Sequence, residues 1–313
     1  MEMINLQLQI FLLLAIGYFI GKKGMISKKA TSQISSLVVN LILPASIIRS
    51  FQVEMSPEIL KSTLFVLVLS IIIQVLTIFL SKLIWKKVPN AGQRVNLEYG
   101  TIANNAGTLG MVVAEAAFGE VGVLYSSIYM IPVRIAMWTS GIALYSSQKQ
   151  SEESRLQGLK KVFLHPCIVA IYIGLVLMVA GMYGFTLPGF LQKSLNSIAN
   201  CNTAMVMLVI GIILSELSVR EMFDKWSGIY TGFRLLVFPA IVFVCLKFLP
   251  IPSLATNICI IETAMPASVT MVMLAQKYHR DPQFASKMVF VSTLASLFTM
   301  PLWTWLFSLP MFQ

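Results

Sequence analysis

The chain has 313 residues, of which 57% are hydrophobic and only 12% charged. A soluble domain carries roughly 25% charged residues, and half that fraction cannot solvate a globule of this size, so a water-soluble enzyme or signalling domain is excluded. The net charge of +10 does not mark a nucleic-acid partner, because the basic residues form short clusters between apolar runs, as in cytoplasmic loops facing an anionic leaflet.

A helix needs about 20 mostly apolar residues to cross the hydrocarbon core. The pattern predicts ten such spans, near 5–21, 32–50, 60–81, 96–118, 121–146, 162–181, 191–215, 226–248, 254–276 and 283–309. The first is read as a permanent helix: Glu2 precedes it and Lys22, Lys23, Lys28 and Lys29 follow it, the reverse of a cleavable signal. A transmembrane barrel would show short alternating segments instead. Basic clusters recur after odd-numbered spans, at Lys82, Lys86, Lys87 and Arg94, at Lys149, Arg155, Lys160 and Lys161, at Arg220 and Lys225, and at Lys277, Arg280 and Lys287. With the first cluster they hold 17 of the 23 Lys and Arg. Positive loops face inside, so both termini are expected outside.

The polar stretch SSQKQSEESRLQGLKK parts the chain into two sets of five spans. The expected organisation is 1–146 as a first five-helix repeat, 147–161 as a cytoplasmic loop and 162–313 as a second repeat. An odd number of spans per half forces opposite orientation, so related halves form an inverted repeat. The fourth span carries GTIANNAGTLG and the ninth, its counterpart, carries AMPASVT. Paired interruptions in matching spans point to a transporter's binding site. Pro266 removes a helix donor, Gly107 and Gly110 loosen the fourth span, and Asn104 and Asn105 bring amides. Half-helices are then expected to start near Thr108 and Ala267, with N–H groups and dipoles that attract an anion.

Charges within spans are expensive and functional by default. Arg134, near the middle of the fifth span, is either a partner for a substrate carboxylate or a structural partner of Glu98, Glu115 or Glu262. Glu262, Glu115 and Glu98 are candidates for proton or ion coupling, since a buried carboxylate can carry a proton. Arg234 is placed toward the cytoplasmic end, where it can snorkel. Asn40, one turn before Pro44, is either a helix-packing residue or a polar feature of the scaffold. The four cysteines lie at wide spacing in apolar segments and read as buried thiols, and the two histidines are far apart. No metal site, cofactor or nucleotide-binding motif is expected.

The run MPASVTMVMLAQKYHRDPQFASKMVFVSTLASLFTMPLW resembles the C-terminal signature of the auxin efflux carrier family. VVNLILPASIIRSF resembles that family's second helix, and NNAGTLG with FGEVGVLYSSIYMIPVRIAMWTSG its fourth and fifth. Val112 departs from the pattern where the family often has Pro, and Arg134 and Thr270 stand where Asn is common. The resemblance covers the whole chain. It implies an all-α integral membrane fold of ten helices in two inverted five-helix repeats, with crossed, broken helices four and nine. It also implies scaffold helices 1, 2, 6 and 7, transport helices 3–5 and 8–10, an elevator mechanism and a homodimer. The short central loop looks bacterial, which places the chain in an inner membrane.

The expectation is a secondary active transporter of a small organic anion, such as a mono- or dicarboxylate or auxin-like acid, coupled to H⁺ or Na⁺. The substrate is expected at Asn104, Asn105, Gly107, Arg134, Pro266 and Thr270. Alternatives are a sodium- or proton-coupled carrier of another solute on a similar fold, a membrane-embedded enzyme and a sensor. The enzyme lacks a nucleophile–base pair or metal cluster, and the sensor lacks a soluble signalling domain.

Overall fold

The structure, a computed structural model, describes residues 2–52, 56–145, 160, 163–215, 224–247, 252–268 and 270–307. The loop expected at 147–161 lies outside the described residues apart from Lys160. The described residues form helices and turns, with a single isolated β-bridge and no strand.

In chain order the helices are α1 (Glu2–Lys22), α2 (Lys28–Ser50), α3 (Pro57–Trp85), α4 (Ala91–Ile102), α5 (Met111–Trp138), α6 (Ser140–Tyr145) and α7 (Pro166–Met182). They continue as α8 (Gly189–Ala199), α9 (Asn202–Ser215), α10 (Lys225–Lys247), α11 (Ser253–Thr263), α12 (Thr270–Lys277) and α13 (Pro282–Phe307). Among the described residues six helical runs are, by length and composition, long and apolar enough to cross a membrane: 28–50, 57–85, 106–145, 189–213, 225–247 and 282–306. The run 106–145 folds back on itself. Gly119 has φ 63° and ψ −148°, and a Cβ on Gly122 would stand 2.2 Å from the Ala114 carbonyl oxygen. In a straight helix eight residues span about 12 Å.

Local chemistry sets the helix ends. Asn90 Oδ1 accepts from Gly92 and Gln93 N–H to start α4, and Asp224 forms a capping box with Ser227 to start α10. His165 Nδ1 accepts from the Cys167 N–H at 3.2 Å, with Pro166 at the first helical position of α7. Two internal prolines widen their helices into π-helical turns, Val38–Ile42 before Pro44 and Phe233–Val237 before Pro239. Each proline lacks the N–H that would satisfy the carbonyl four residues back. The residue before it reaches back five instead, Leu43 to Val38 and Phe238 to Phe233. The Leu235 carbonyl is then taken by Trp303 Nε1 at 2.9 Å.

Helix α3 shows which solvent surrounds the chain. Ser62, Ser70, Gln74, Thr77 and Ser81 are buried, whereas Leu64, Val68, Ile71, Val75 and Phe79 are exposed. The polar stripe faces protein and the apolar stripe faces outward, the reverse of a water-soluble amphipathic helix and the arrangement lipid demands.

The contacts divide the chain into two compact units. Unit one comprises 1–61, 108–128 and 165–218. In it α1 meets α9 backbone to backbone: a Cβ on Gly17 would lie 2.3 Å from the Leu208 carbonyl oxygen, and one on Gly211 2.2 Å from that of Leu14. Such close approach is how small residues join helices in lipid. Unit two comprises 62–107, 129–164 and 219–313. Its core is built on Trp85, Tyr99, Tyr145, Tyr230, Met271 and Met288. Two of the aromatic polar tips are satisfied inside it, Trp85 Nε1 donating to Thr101 Oγ1 at 2.9 Å and Tyr145 OH to Asn96 Oδ1 at 2.7 Å, whereas the buried Tyr99 hydroxyl bonds no described residue.

Candidate functional site

Helix α4 stops at Ile102, and Ala103 turns extended at φ −120°, ψ 109°. Helix α11 stops at Thr263, and the chain runs through Pro266 before α12 starts at Thr270. The two interruptions pair with each other. Asn104 and Ala267 form an antiparallel β-bridge, and the Asn105 N–H donates to the Pro266 carbonyl at 2.8 Å. Extended backbone at membrane depth persists only where protein or water satisfies it, and here each break satisfies part of the other.

The remaining backbone groups find side chains. At the end of α4, the Gly100 carbonyl accepts from Tyr230 OH at 2.7 Å, Thr101 from Arg234 Nη1 at 3.1 Å and Ile102 from Gln74 Nε2 at 3.0 Å. Past α11, the Met265 carbonyl accepts from Arg234 Nε at 3.2 Å, and the Ala267 N–H donates to Ser292 Oγ at 3.1 Å. The Glu262 carbonyl accepts from Asn104 Nδ2.

The two asparagines, equivalent in sequence, differ here. Asn104 is buried, with its amide bound to the Glu262 carbonyl and its Oδ1 accepting from the Ala106 N–H at 3.4 Å. Asn105 uses its backbone in the pairing and is half-buried, and its amide makes no hydrogen bond to a described residue. Beyond the first break a π-helical turn, Ala106–Gly110, leads into α5, so this half-helix starts at Ala106 rather than Thr108. The second starts at Thr270 rather than Ala267, with Ser268 Oγ accepting from the Thr270 N–H at 3.3 Å and 3.2 Å from Thr270 Oγ1. Arg134 is 7% exposed, and a Cβ on Gly107 would stand 2.8 Å from its Nη2 and 2.8 Å from Met130 Cε. Glycine at 107 therefore leaves the space the guanidinium fills.

Asn104, Asn105 and Pro266 are thus brought together at the paired breaks, and Gly107 is brought against Arg134. Thr270 opens the helix after the second break, and all six residues belong to unit two. The three carboxylates separate. Glu262 is fully buried in the last turn of α11, with its carbonyl bound to Asn104. Glu98 is half-buried in α4, four residues before its end. Glu115 belongs to unit one, where its Oε1 pairs with Arg49 Nη2 at 2.8 Å and its Oε2 accepts from Asn202 Nδ2 at 2.7 Å. Arg49 also approaches Glu120 at 3.4 Å and donates to Asn200 Oδ1 at 2.6 Å. Asn40 is exposed and bonds Ser36 Oγ at 2.9 Å, and Pro44 is half-buried; both lie in unit one.

Two expectations are corrected. Arg234 does not snorkel: it is 3% exposed and bound to two carbonyls at the breaks. Its position five residues before Pro239, at a helix widened by that proline, is one sequence signal that could have placed it inward. Of the cysteines, Cys167 and Cys259 are buried, but Cys201 and Cys245 are exposed. Among the described residues no group of three or more His, Cys, Asp or Glu could hold a metal. A cavity of about 630 Å³ within unit one, lined by Phe51, Gln52, Met178, Met182 and Phe185 among others, has no charged group among its described lining residues.

An all-helical chain with apolar faces outward, a polar stripe inward and two interrupted helices paired at their breaks is built as a membrane transport protein. Comparison with known sequences gives the family: the chain belongs to the membrane transport protein family, that of the auxin efflux carriers, whose profile matches residues 3–304. It is similar to an uncharacterized transporter of Methanocaldococcus jannaschii, 23% identical over 303 residues covering 95% of this chain and 96% of that one. An uncharacterized transporter of Methanothermobacter thermautotrophicus is 24% identical over 300 residues, 95% and 96% of the two chains. The uncharacterized transporter YfdV of Escherichia coli is 22% identical over 306 residues, 95% of each.

Proposed function

We propose that the chain is a secondary active transporter of a small organic anion, a mono- or dicarboxylate or an auxin-like acid. In this reading it crosses the bacterial inner membrane ten times as two inverted five-helix repeats, with both termini outside, and works as a homodimer. Spans four and nine cross at their breaks. The movement in this reading is of the elevator type, spans 3–5 and 8–10 carrying the substrate.

The observation that carries the reading is the pairing of the breaks at Asn104 and Ala267. It supplies two half-helix starts, whose first residues, Ala106 and Thr270, belong to the same unit as the buried Arg134. Helix N–H groups, helix dipoles and a guanidinium all favour a carboxylate. Asn105 adds an amide that no described residue engages, and the Thr270 hydroxyl a further donor. Spans 1, 2, 6 and 7 serve as scaffold, with Asn40 and Pro44 on the second. Of the three carboxylates, Glu262 is the strongest candidate for coupling to an H⁺ or Na⁺ gradient, because it is buried in the turn that Asn104 ties to the break. Glu115 is already held by Arg49.

The test is uptake by purified protein in liposomes, across a panel of radiolabelled mono- and dicarboxylates and an indole acid, with and without proton and sodium gradients. Saturable uptake of one anion class, absent from empty liposomes, is expected. No uptake of any anion under any gradient would overturn the reading.

A further inference from the structure

Arg234 lies in the π-helical turn of α10 and is 3% exposed. Its Nε donates to the Met265 carbonyl at 3.2 Å and its Nη1 to the Thr101 carbonyl at 3.1 Å. Its guanidinium carbon stands 5.6 Å from the centre of the Phe238 ring, an additional cation–π contact. Thr101 is in the last turn of α4, and Met265 lies just past α11. One buried cation therefore joins the carbonyl ends of both interrupted helices, where each helix dipole has its negative pole.

In carriers built on broken helices, unwound carbonyls and half-helix C-terminal ends are the groups that coordinate a coupling sodium ion. Here the protein's own donors engage them: Arg234 holds Thr101 and Met265, while Tyr230 and Gln74 hold Gly100 and Ile102. A sodium ion on the Thr101 or Met265 oxygen would have to compete with the guanidinium for the carbonyl and would stand beside a fixed like charge in a site screened from water.

We infer that Arg234 is a built-in cation holding the place of a coupling metal ion at the paired breaks, so that this carrier runs without sodium. The inference rests on the carrier reading and selects between its two coupling ions. Arg234 acts through the breaks and is a positioning residue, not a substrate ligand. Removing its charge while leaving the carbonyls in place converts the junction into a sodium-responsive site.

The experiment follows thermal unfolding of the purified full-length protein in sodium chloride and in choline chloride at equal ionic strength. Wild type, Arg234→Lys and Arg234→Ala are compared. Wild type and Arg234→Lys are expected to unfold at the same temperature in both salts. Arg234→Ala is expected to be less stable in choline and to recover in sodium, rising by about 3 °C once sodium exceeds its Kd roughly tenfold. A purely structural arginine would give a loss that neither salt repairs, so a folded Arg234→Ala protein with equal midpoints in both salts overturns the inference. A sodium-specific rise in the wild type also overturns it and needs no variant to fold, and so does wild-type uptake that requires sodium. The melting readout uses no substrate. Failure of the carrier reading, seen as no uptake of any anion, is therefore distinguishable from failure of the cation assignment.

Discussion

Replacing each of the two neighbouring asparagines by leucine separates holding the break together from binding what the break serves. The Asn104 amide donates to the Glu262 carbonyl and accepts from the Ala106 N–H. Asn104→Leu strands that carbonyl in the last turn of α11, where Glu262 is fully buried. A buried polar group without its partner costs about 1–3 kcal/mol. At about 2–4 °C per kcal/mol for a chain of 150–250 residues, and somewhat less for a longer one, the unfolding midpoint falls by several degrees. The Asn105 amide has no hydrogen bond to a described residue and is half-buried, so Asn105→Leu changes stability by less than about 0.5 kcal/mol. If that amide binds the substrate carboxylate, the same 1–3 kcal/mol is lost from binding instead, and affinity falls roughly 5- to 150-fold. Thermal melts of both purified variants, with substrate titrated into each, read the two quantities side by side. Equal destabilisation by the two substitutions would refute the division of labour. A well-folded Asn105→Leu protein with unchanged substrate affinity would remove Asn105 from the site.

Three further outcomes follow. Arg134→Gln should abolish uptake while the protein remains folded, and Arg134→Lys should restore little, because an ammonium lacks the planar fork of the guanidinium; full uptake by Arg134→Gln liposomes would sink this role. Arg49→Met should destabilise unit one by up to about 3–5 kcal/mol, since it leaves Glu115 largely buried without its cation, and adding Glu115→Gln should recover much of the loss. A double-mutant melting cycle with no coupling between these two substitutions would contradict the pair. Gly211→Ala forces its new methyl to within 2.2 Å of the Leu14 carbonyl oxygen unless α1 and α9 part. It should cost about 1–3 kcal/mol as an overpacked contact, with purification yield and melting temperature as the readout.

The interruptions are legible in the sequence because their residues have few other uses. Pro266 cannot donate a hydrogen bond, Gly107 admits a guanidinium where a methyl would collide, and the two stretches recur half a chain apart. Which asparagine turns inward is not legible, because Asn104 and Asn105 differ only in direction, and direction is set by the antiparallel pairing with Ala267. The partner of Glu115 is hidden for a similar reason, as Arg49 is 66 residues away along the chain and its contact is purely tertiary. Cys201 and Cys245 show a limit specific to lipid. In water, an apolar residue on a helix points to the core, but on α3 Val66, Leu69 and Ile73 are buried while Leu64, Val68 and Val75 are exposed, so hydrophobicity alone does not say which way a side chain looks. Arg234 combines both difficulties. Counting along the helix puts it near the water-facing end, whereas the widened turn before Pro239 and the carbonyls left open by the two breaks draw it inward. A charge in a span is best located by asking which backbone groups nearby have lost their helical partners. By that criterion the breaks at Ala103 and Pro266 call for a buried donor, and Arg234 is the cation that a proline-widened turn sets within reach of both.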